Sequence, residues 1–130
     1  MIEAHMLEKR ILVVEDGITM RMFYQDVLGK AGFAVEEAAN GVEGLEKALL
    51  GHFDLMIVDI NMPKMDGYEL VTRIRREPSL RAIPVVTIST EAQGEDATRA
   101  YEAGANLYIV KPADPASLVE MARLLTGARA

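Results

Sequence analysis

The sequence contains no cysteine, which excludes disulfide bonds, thiolate metal sites and a cysteine nucleophile together. The absence fits a reducing compartment. Basic residues are also scarce relative to acidic ones, with 14 Lys and Arg against 20 Asp and Glu and a net charge of −6. A surface with this charge repels a phosphate backbone, so we expect no direct binding of nucleic acid.

Long apolar runs are absent as well. No segment approaches the roughly 20 apolar residues that span a bilayer, and residues 1–10 are too short and too polar for a signal peptide. We therefore expect a cytoplasmic protein with no membrane partner. Residues 1–7, which include His5 and Met6, are interpreted as an N-terminal extension or a cloning remnant, and one domain is expected over residues 8–127.

The length of 130 residues, half of them apolar, suits one domain with its own hydrophobic core. Short apolar runs alternate with longer amphipathic segments along the chain. The runs predict strands at residues 11–14, 34–37, 55–58, 85–88 and 107–110. Apolar residues at helical spacing predict helices that end before Gly32, before Gly51, before Pro78, at Gly104 and near Leu125.

This alternation predicts an α/β sandwich with a parallel sheet and right-handed crossovers. Of the two common doubly wound arrangements, the flavodoxin-like (βα)5 fold with strand order 2-1-3-4-5 fits the length better than the six-stranded dinucleotide fold. The first strand-to-helix turn supports this choice. It lacks a glycine-rich fingerprint, and the carboxylates of Glu15 and Asp16 would repel a pyrophosphate.

Polar residues follow four of the five predicted strands. The first ends in Glu15 and Asp16, the third in Asp59, the fourth in Ser89 and the fifth in Lys111. In an open α/β sheet, ligands bind beyond the carboxyl ends of the strands, where the strand order reverses. Each residue alone has an ordinary explanation as a turn residue, a helix cap or a solvated lysine. Their joint placement predicts a functional site.

The chemistry of this site follows from its residue types. Three carboxylates at close range repel one another unless a cation joins them, and hard oxygen ligands favour Mg²⁺, with Mn²⁺ or Ca²⁺ also possible. A lysine and a hydroxyl suit the oxygens of a phosphoryl group. A carboxylate can itself be the nucleophile that forms an aspartyl phosphate.

The chain resembles the receiver domain of two-component response regulators, and chemotaxis regulators in particular, from about Arg10 to Leu125. The resemblance is carried by ILVVED at residues 11–16, VDINMP at 58–63, MDG at 65–67, TIS at 87–89 and YIVKP at 108–112. It implies a phosphoprotein that acts as a switch in a phosphorelay. A histidine kinase or phosphotransfer protein would supply the phosphoryl group, and a downstream protein of unknown identity would read it.

The resemblance also implies a role for each site residue. Asp59 is the implied phosphoryl acceptor, and the implied metal ligands are Asp16, Asp59, the backbone carbonyl of Asn61 and, through water, Glu15. Lys111 would contact a phosphoryl oxygen and precede a cis proline bond. Ser89 would move to the phosphate, and Tyr108 would rotate inward behind it. Asn61 and Glu91 border the attacking water and would tune the lifetime of the phosphoryl group.

Three residues depart from the family pattern. Glu15 stands where Asp is more usual, Gly17 stands where a polar side chain is frequent, and Thr90 stands where Ala or Gly is usual. The longer Glu15 side chain could alter metal affinity. The β-branched Thr90 could crowd the acceptor and slow both phosphorylation and hydrolysis. Two other expectations are ordinary: Gly67 permits a tight turn, and Arg73, Arg75 and Arg76 form a solvated helix end.

The expected output surface comprises the fourth and fifth strands and helices, from about Gln93 to Leu125. The domain is expected to be a monomer, or a weak dimer through the fourth helix, fifth strand and fifth helix. No output domain follows within the sequence, which indicates either a stand-alone receiver or a piece of a larger regulator.

Two other functions are consistent with parts of the pattern. An Asp-nucleophile phosphatase would need a second Asp two residues after Asp59 as its acid and base, and Asn61 occupies that position. We therefore expect no turnover of a separate substrate, although the domain could dephosphorylate itself. A degenerate receiver that serves only as an interaction module is the other alternative, and the complete set of acceptor, acidic and lysine residues argues against it.

Overall fold

A computed structural model describes residues 8–91 and 93–128. The expected extension at residues 1–7 lies outside the described residues. Within these two ranges, five strands alternate with five helices. In chain order they are β1 (Arg10–Val14), α1 (Ile18–Lys30), β2 (Ala34–Ala38), α2 (Gly41–Leu50), β3 (Leu55–Asp59), α3 (Gly67–Arg76), β4 (Val85–Ser89), α4 (Gly94–Ala103), β5 (Leu107–Val110) and α5 (Pro115–Thr126).

The strands form one parallel sheet in the order β2-β1-β3-β4-β5, which confirms the fold predicted from the alternation. The strands at the centre of the sheet are buried along their length, as expected when helices cover both faces. The order reverses between β1 and β3, so the carboxyl ends of these two strands flank the switch point.

Side chains of successive strand residues point to opposite faces of the sheet. Ile11 and Val13 of β1 pack with the apolar sides of α1 and α5 in one core. Leu12 and Val14 pack with residues of α2 and α3 in a second core on the other face. A third, smaller cluster lies where α3 and α4 meet β5, and comprises Ile60, Tyr68, Ala100 and Ala105, with Tyr108 packed against it.

Short polar side chains set the start of three helices. Asn40, Asp66 and Asp114 accept hydrogen bonds from the backbone N–H groups of Glu43, Glu69 and Ser117 at 2.8, 2.9 and 3.0 Å. Each bond satisfies one of the free N–H groups of a first helical turn. The end of α4 is set by Gly104, which adopts a φ of +117°, a conformation that glycine tolerates without a Cβ clash.

The expectation about Gly67, in the loop after β3, needs correction. Gly67 is not a tight-turn residue: the positive φ in this loop belongs to Lys64, at +67°. Glycine is needed at position 67 because a Cβ there would lie 2.7 Å from the carbonyl oxygen of Asp59 and 2.7 Å from the Cα of Ile60.

The bond between Lys111 and Pro112 is cis, as expected.

Arg75 is not part of a solvated helix end. Its guanidinium donates hydrogen bonds to the carbonyl oxygens of Gly104, Arg81 and Ile83 at 2.9, 3.0 and 2.7 Å, and to Oδ1 of Asn106 at 2.8 Å. Asn106 Oδ1 also accepts from the N–H of Val85 at 2.8 Å. Arg75 therefore joins the end of α3 to the loop before β4 and to the turn between α4 and β5.

No helix among residues 8–91 and 93–128 has the length and apolar character to span a membrane.

Candidate functional site

The four polar strand ends predicted to meet do so at the carboxyl edge of the sheet. Glu15 and Asp16 follow β1, Asp59 ends β3, Ser89 ends β4 and Lys111 follows β5. Parallel pairing of these strands brings their ends to one edge, although the residues are up to 96 positions apart in sequence. The site is thus assembled by the sheet topology.

The carboxylates of Glu15, Asp16 and Asp59 form an acidic cluster. One oxygen of each lies within 4.8 Å of the others. Glu15 and Asp59 are buried, each with 3% of its surface exposed, whereas Asp16 is exposed to solvent. Three hard oxygen donors with one open side are a donor set that fits Mg²⁺, which keeps several water ligands when it binds protein carboxylates.

Lys111 links two of these carboxylates. Its Nζ donates to Oε1 of Glu15 at 3.1 Å and to Oδ1 of Asp59 at 3.3 Å. Burial lowers the pKa of Lys111, but the hydrogen bond with Glu15 and the negative charges of Asp59 and Glu15 outweigh that effect, and the net pKa is raised. The lysine is therefore held as a cation beside the acidic cluster.

The pKa of Asp59 is raised from 3.8 to about 6. Burial is the main cause, because removal from water disfavours the charged form, and the nearby charge of Glu15 adds to it. Lys111 and the backbone N–H of Asn61, which donates to Oδ1 of Asp59 at 3.2 Å, act in the opposite direction. Without a metal ion, the negative charge of ionised Asp59 is thus only partly compensated by its surroundings.

Ser89 is fully buried and takes part in two hydrogen bonds. Its hydroxyl donates to Oδ1 of Asn61 at 3.0 Å and accepts from the backbone N–H of Glu91 at 3.0 Å. The resemblance to receiver domains implied that Ser89 moves to a phosphate and that Asn61 contributes its backbone carbonyl, but it did not indicate a bond between their side chains. In this structure, the Ser89 hydroxyl is held by Asn61.

Tyr108 is connected to the same loop. Its hydroxyl donates to the carbonyl oxygen of Glu91 at 2.5 Å, and its ring packs against the cluster that contains Tyr68. The peptide groups of Glu91 therefore link Ser89 on one side to Tyr108 on the other. Sequence reasoning assigned Glu91 a role through its side chain and missed this link, because a backbone contact leaves no signal in residue type. Thr90 is exposed.

Arg21 is a further site residue that sequence reasoning did not assign. It lies in the first half of α1, and its Nη1 donates to the carbonyl oxygens of Glu15 at 2.8 Å and Asp16 at 3.1 Å. Its Nε donates to Oε1 of Glu37, in β2, at 3.1 Å. The available signal was its position, about one helical turn beyond an acidic pair.

A parallel 2-1-3-4-5 sheet with three carboxylates, a buried serine and a lysine at its carboxyl edge defines the receiver class of signalling domain. The response regulator receiver domain family matches residues 11–123, and the chain belongs to this family. It is accordingly a receiver domain of two-component signalling, a class of signalling switches and not of substrate-converting enzymes.

Similar proteins include chemotaxis regulators. Chemotaxis protein CheY-3 of Vibrio cholerae is 40% identical over 112 residues, which cover 85% of this chain and 86% of that protein. The structure of the chemotaxis response regulator CheY4 of Vibrio cholerae superposes with a TM-score of 0.86 at 34% identity and covers 91% of this chain and 98% of that one.

A sensor-kinase receiver is also similar. The receiver domain of sensor histidine kinase PA1611 from Pseudomonas aeruginosa PAO1 has a TM-score of 0.86 at 27% identity, with coverage of 92% and 98%. That structure has a magnesium ion coordinated in its active site cleft.

Proposed function

We propose that the chain accepts a phosphoryl group on Asp59, in a Mg²⁺-dependent reaction, and uses this event to change its surface around β4, α4, β5 and α5. The observation that carries the proposal is the position of Lys111 Nζ, 3.1 Å from Glu15 and 3.3 Å from Asp59. A cation, an acceptor carboxylate and a second acidic residue thus converge from three strands, at an edge where Asp16 is open to solvent.

In the proposed step, a carboxylate oxygen of Asp59 forms a bond to phosphorus while the bond from phosphorus to the donor's leaving atom breaks. The leaving group departs with the electron pair of that bond and takes a proton from solvent. The new group brings a charge of about −1.5 to −2 and three acceptor oxygens. Lys111 offsets part of that charge, because its ammonium group already faces Asp59.

The residues that would hold Mg²⁺ are Asp16, Asp59 and the backbone carbonyl of Asn61, with Glu15 in contact through water. When bound, Mg²⁺ supplies positive charge beside the incoming phosphoryl oxygens, and Mn²⁺ could substitute. Burial of Asp59 and Glu15 supports this assignment, since two buried carboxylates need more positive charge than Lys111 alone provides.

The switch would begin at Ser89. A phosphoryl oxygen on Asp59 competes with Asn61 for the Ser89 hydroxyl, and movement of Ser89 pulls on the N–H of Glu91. The carbonyl of Glu91 holds Tyr108, so Tyr108 and the start of α4 would respond together. A rotation of Tyr108 on phosphorylation remains a prediction. Such a rearrangement biases partner binding only through a difference in affinity between the two states.

The partners follow from this mechanism. A histidine kinase or a phosphotransfer protein would present a phosphohistidine to Asp59, and a downstream protein would bind the surface formed by α4, β5 and α5. The same surface would support a weak dimer if the domain self-associates. Tyr101 in α4 and Val110 at the end of β5 are exposed on these elements, with 47% and 41% of their surfaces accessible.

The test is incubation of the protein with a small phosphodonor, followed by mass spectrometry. We expect a mass gain of one phosphoryl group that requires Mg²⁺, is lost with a chelator and is abolished in Asp59→Asn. Asp54→Asn is the matched control. Asp54 immediately precedes β3, at the end of the strand opposite Asp59, and accepts a hydrogen bond from the backbone N–H of Arg10. Wild-type protein that gains no mass would instead support an interaction module without phosphorylation.

The lifetime of the phosphoryl group can be examined separately. Thr90, Asn61 and Glu91 are exposed residues just beyond the ends of β3 and β4, where they would restrict or position an attacking water. If Thr90 crowds the acceptor, Thr90→Ala raises the rates of both phosphorylation and spontaneous dephosphorylation. Unchanged rates in time courses of the intact mass would rule out crowding.

A further inference from the structure

The turn between β1 and α1 lacks the usual restraints of a helix start. Gly17 occupies the N-cap position of α1 and supplies no side-chain hydrogen bond, and the first turn of the helix has no acidic residue. Glycine also allows a wider range of backbone conformations than other residues. Nevertheless, this turn carries Glu15 and Asp16, whose carboxylates must face Asp59 to form the acidic cluster.

Arg21 supplies the missing restraint. Its Nη1 donates to the carbonyl oxygens of both Glu15 and Asp16, at 2.8 and 3.1 Å, and thereby fixes the orientation of two successive peptide groups. The N–H of Gly17 then donates to Oε2 of Glu15 at 2.9 Å. The backbone orientation set by Arg21 is thus coupled to the direction of the Glu15 carboxylate.

The guanidinium of Arg21 is itself held in place. Its Nε donates to Oε1 of Glu37 at 3.1 Å, and the side chains of Arg21 and Glu37 have 15% and 34% of their surfaces exposed. Glu37 belongs to β2 and pairs in register with Val13 of β1. Arg21 therefore connects the turn to a strand of the sheet, and a planar guanidinium is suited to bridging several acceptors at fixed angles.

We propose that Arg21 is the positioning residue of the acidic cluster: held by Glu37, it sets the turn so that the carboxylates of Glu15 and Asp16 face Asp59. The proposal rests on the proposed function in so far as it expects these carboxylates to bind Mg²⁺. Arg21 acts through the backbone carbonyl oxygens of Glu15 and Asp16.

Two effects of removing Arg21 have opposite signs, which makes the proposal testable. As a nearby positive charge, Arg21 opposes the approach of a cation, so charge alone predicts tighter Mg²⁺ binding in its absence. As a positioning residue, Arg21 assembles the ligands, so its loss predicts weaker binding. Loss of an outer contact that orients metal ligands costs about 10- to 100-fold in affinity.

The first experiment measures Mg²⁺ affinity by calorimetric titration of the full chain. We expect Arg21→Met to weaken binding about 10-fold, and Arg21→Lys, which keeps the charge without the planar fork, to weaken it by about threefold. Arg73→Met is the matched control, because it removes a surface arginine that pairs with Glu69 on α3. Unchanged or tighter binding in Arg21→Met would overturn the proposal.

The second experiment tests the route through Glu37. Glu37→Gln keeps the size of the side chain and removes the charge that holds Nε of Arg21. It is expected to weaken Mg²⁺ binding in the same direction as Arg21→Met and by less. Because both substitutions break the contact between Arg21 and Glu37, the double variant should bind Mg²⁺ no more weakly than Arg21→Met alone. Independent, additive losses would contradict the proposed link.

A readout without metal separates this proposal from the proposed function. In Mg²⁺-free protein, hydrogen exchange of the Gly17 amide should accelerate in Arg21→Met and stay unchanged in Arg73→Met, with thermal unfolding used to confirm that both variants fold. If wild-type protein binds no Mg²⁺, the proposed function fails while the Gly17 exchange still decides the role of Arg21. Unaltered exchange of the Gly17 amide in a folded Arg21→Met variant would overturn the proposal that Arg21 positions the turn.

Discussion

At the scale of single residues, Asp59 lies in an environment that disfavours its negative charge. Asp59 is 3% exposed and has a pKa of about 6, because burial and Glu15 disfavour its charge more than Lys111 and Asn61 favour it. A carboxylate in this position is costly in the free protein. Positive charge or a covalent group added at this carboxylate reduces that cost. A site of this kind can therefore respond to such an addition.

The cost of ionising Asp59 predicts a pH-dependent stability. Since the pKa is about 6 in the folded state against 3.8 as the ordinary value, the folded protein binds more protons than the unfolded chain between these pH values. The free energy of unfolding of metal-free protein should therefore fall as the pH rises through that window, by up to about 3 kcal/mol.

Asp59→Asn removes this titration. We expect the variant to be more stable than wild type by about 1–3 kcal/mol at pH 7 and equal to it near pH 4, in denaturant unfolding with a chelator present. Asp26→Asn is the control, because Asp26 is exposed and forms a surface salt bridge with Lys30 at 2.9 Å. A difference between Asp59→Asn and wild type that is the same at both pH values would refute the explanation.

At the scale of elements, the contact between the end of β3 and the start of α3 depends on a missing side chain. A Cβ on Gly67 would lie 2.7 Å from backbone atoms of Asp59 and Ile60, which cannot move without displacing the end of β3. Gly67→Ala should therefore destabilise the protein by about 1–3 kcal/mol and slow phosphorylation. Chemical denaturation and the mass-gain assay measure the two effects.

Gly29→Ala provides the comparison for this prediction. Gly29 lies within α1, and a Cβ there would have no heavy atom within 4 Å apart from its chain neighbours and the backbone of its own helix. The substitution should stabilise the protein by up to about 1 kcal/mol, because alanine favours a helix more than glycine does. If both variants shift stability in the same direction, close approach is not the reason for glycine at position 67.

Arg75 joins elements at the opposite end of the sheet from the site. Its four hydrogen bonds hold Gly104, Asn106 and the loop before β4, so that the C-terminal end of α4 is fixed. Arg75→Met removes four hydrogen bonds, although Asn106 Oδ1 keeps the one from the N–H of Val85, and it should lower the free energy of unfolding by about 2–4 kcal/mol. Arg73→Met, which removes an exposed pair, should change it by no more than about 0.5 kcal/mol. Comparable losses in the two variants would contradict this role.

At the scale of the whole molecule, the two ends of α4 differ in their contacts, and under the proposed function this difference would determine which end moves. Arg75 holds the C-terminal end, whereas the link from Ser89 through Glu91 to Tyr108 lies beside the N-terminal end. A phosphoryl mimic bound at Asp59 should therefore change hydrogen exchange in residues 93–112, most strongly at the start of α4. Exchange within α2 should stay constant, and equal changes in α2 and α4 would argue against a switch confined to this face.

Much of the fold was predictable because the alternation of apolar strands and amphipathic helices admits few arrangements. Strand order, helix ends such as Gly104, the cis bond before Pro112 and the convergence of Glu15, Asp59 and Lys111 on one edge were all predicted. The predicted role of Gly67 was wrong, because the sequence can indicate that a glycine is required without indicating which atoms approach it. The prediction for Arg75 was wrong because three of its four acceptors are backbone carbonyls, which any residue provides.

The sequence by itself determined which side chains follow which strands, and therefore which residues meet at the carboxyl edge of the sheet. That follows from the period of apolar residues and the directionality of parallel strands, which are local properties of the chain. Only the tertiary structure decided how the site residues are held: Ser89 by Asn61, Tyr108 by the carbonyl of Glu91, and the Glu15–Asp16 turn by Arg21. These contacts depend on distances and backbone orientations between segments remote in sequence, and residue type does not record them.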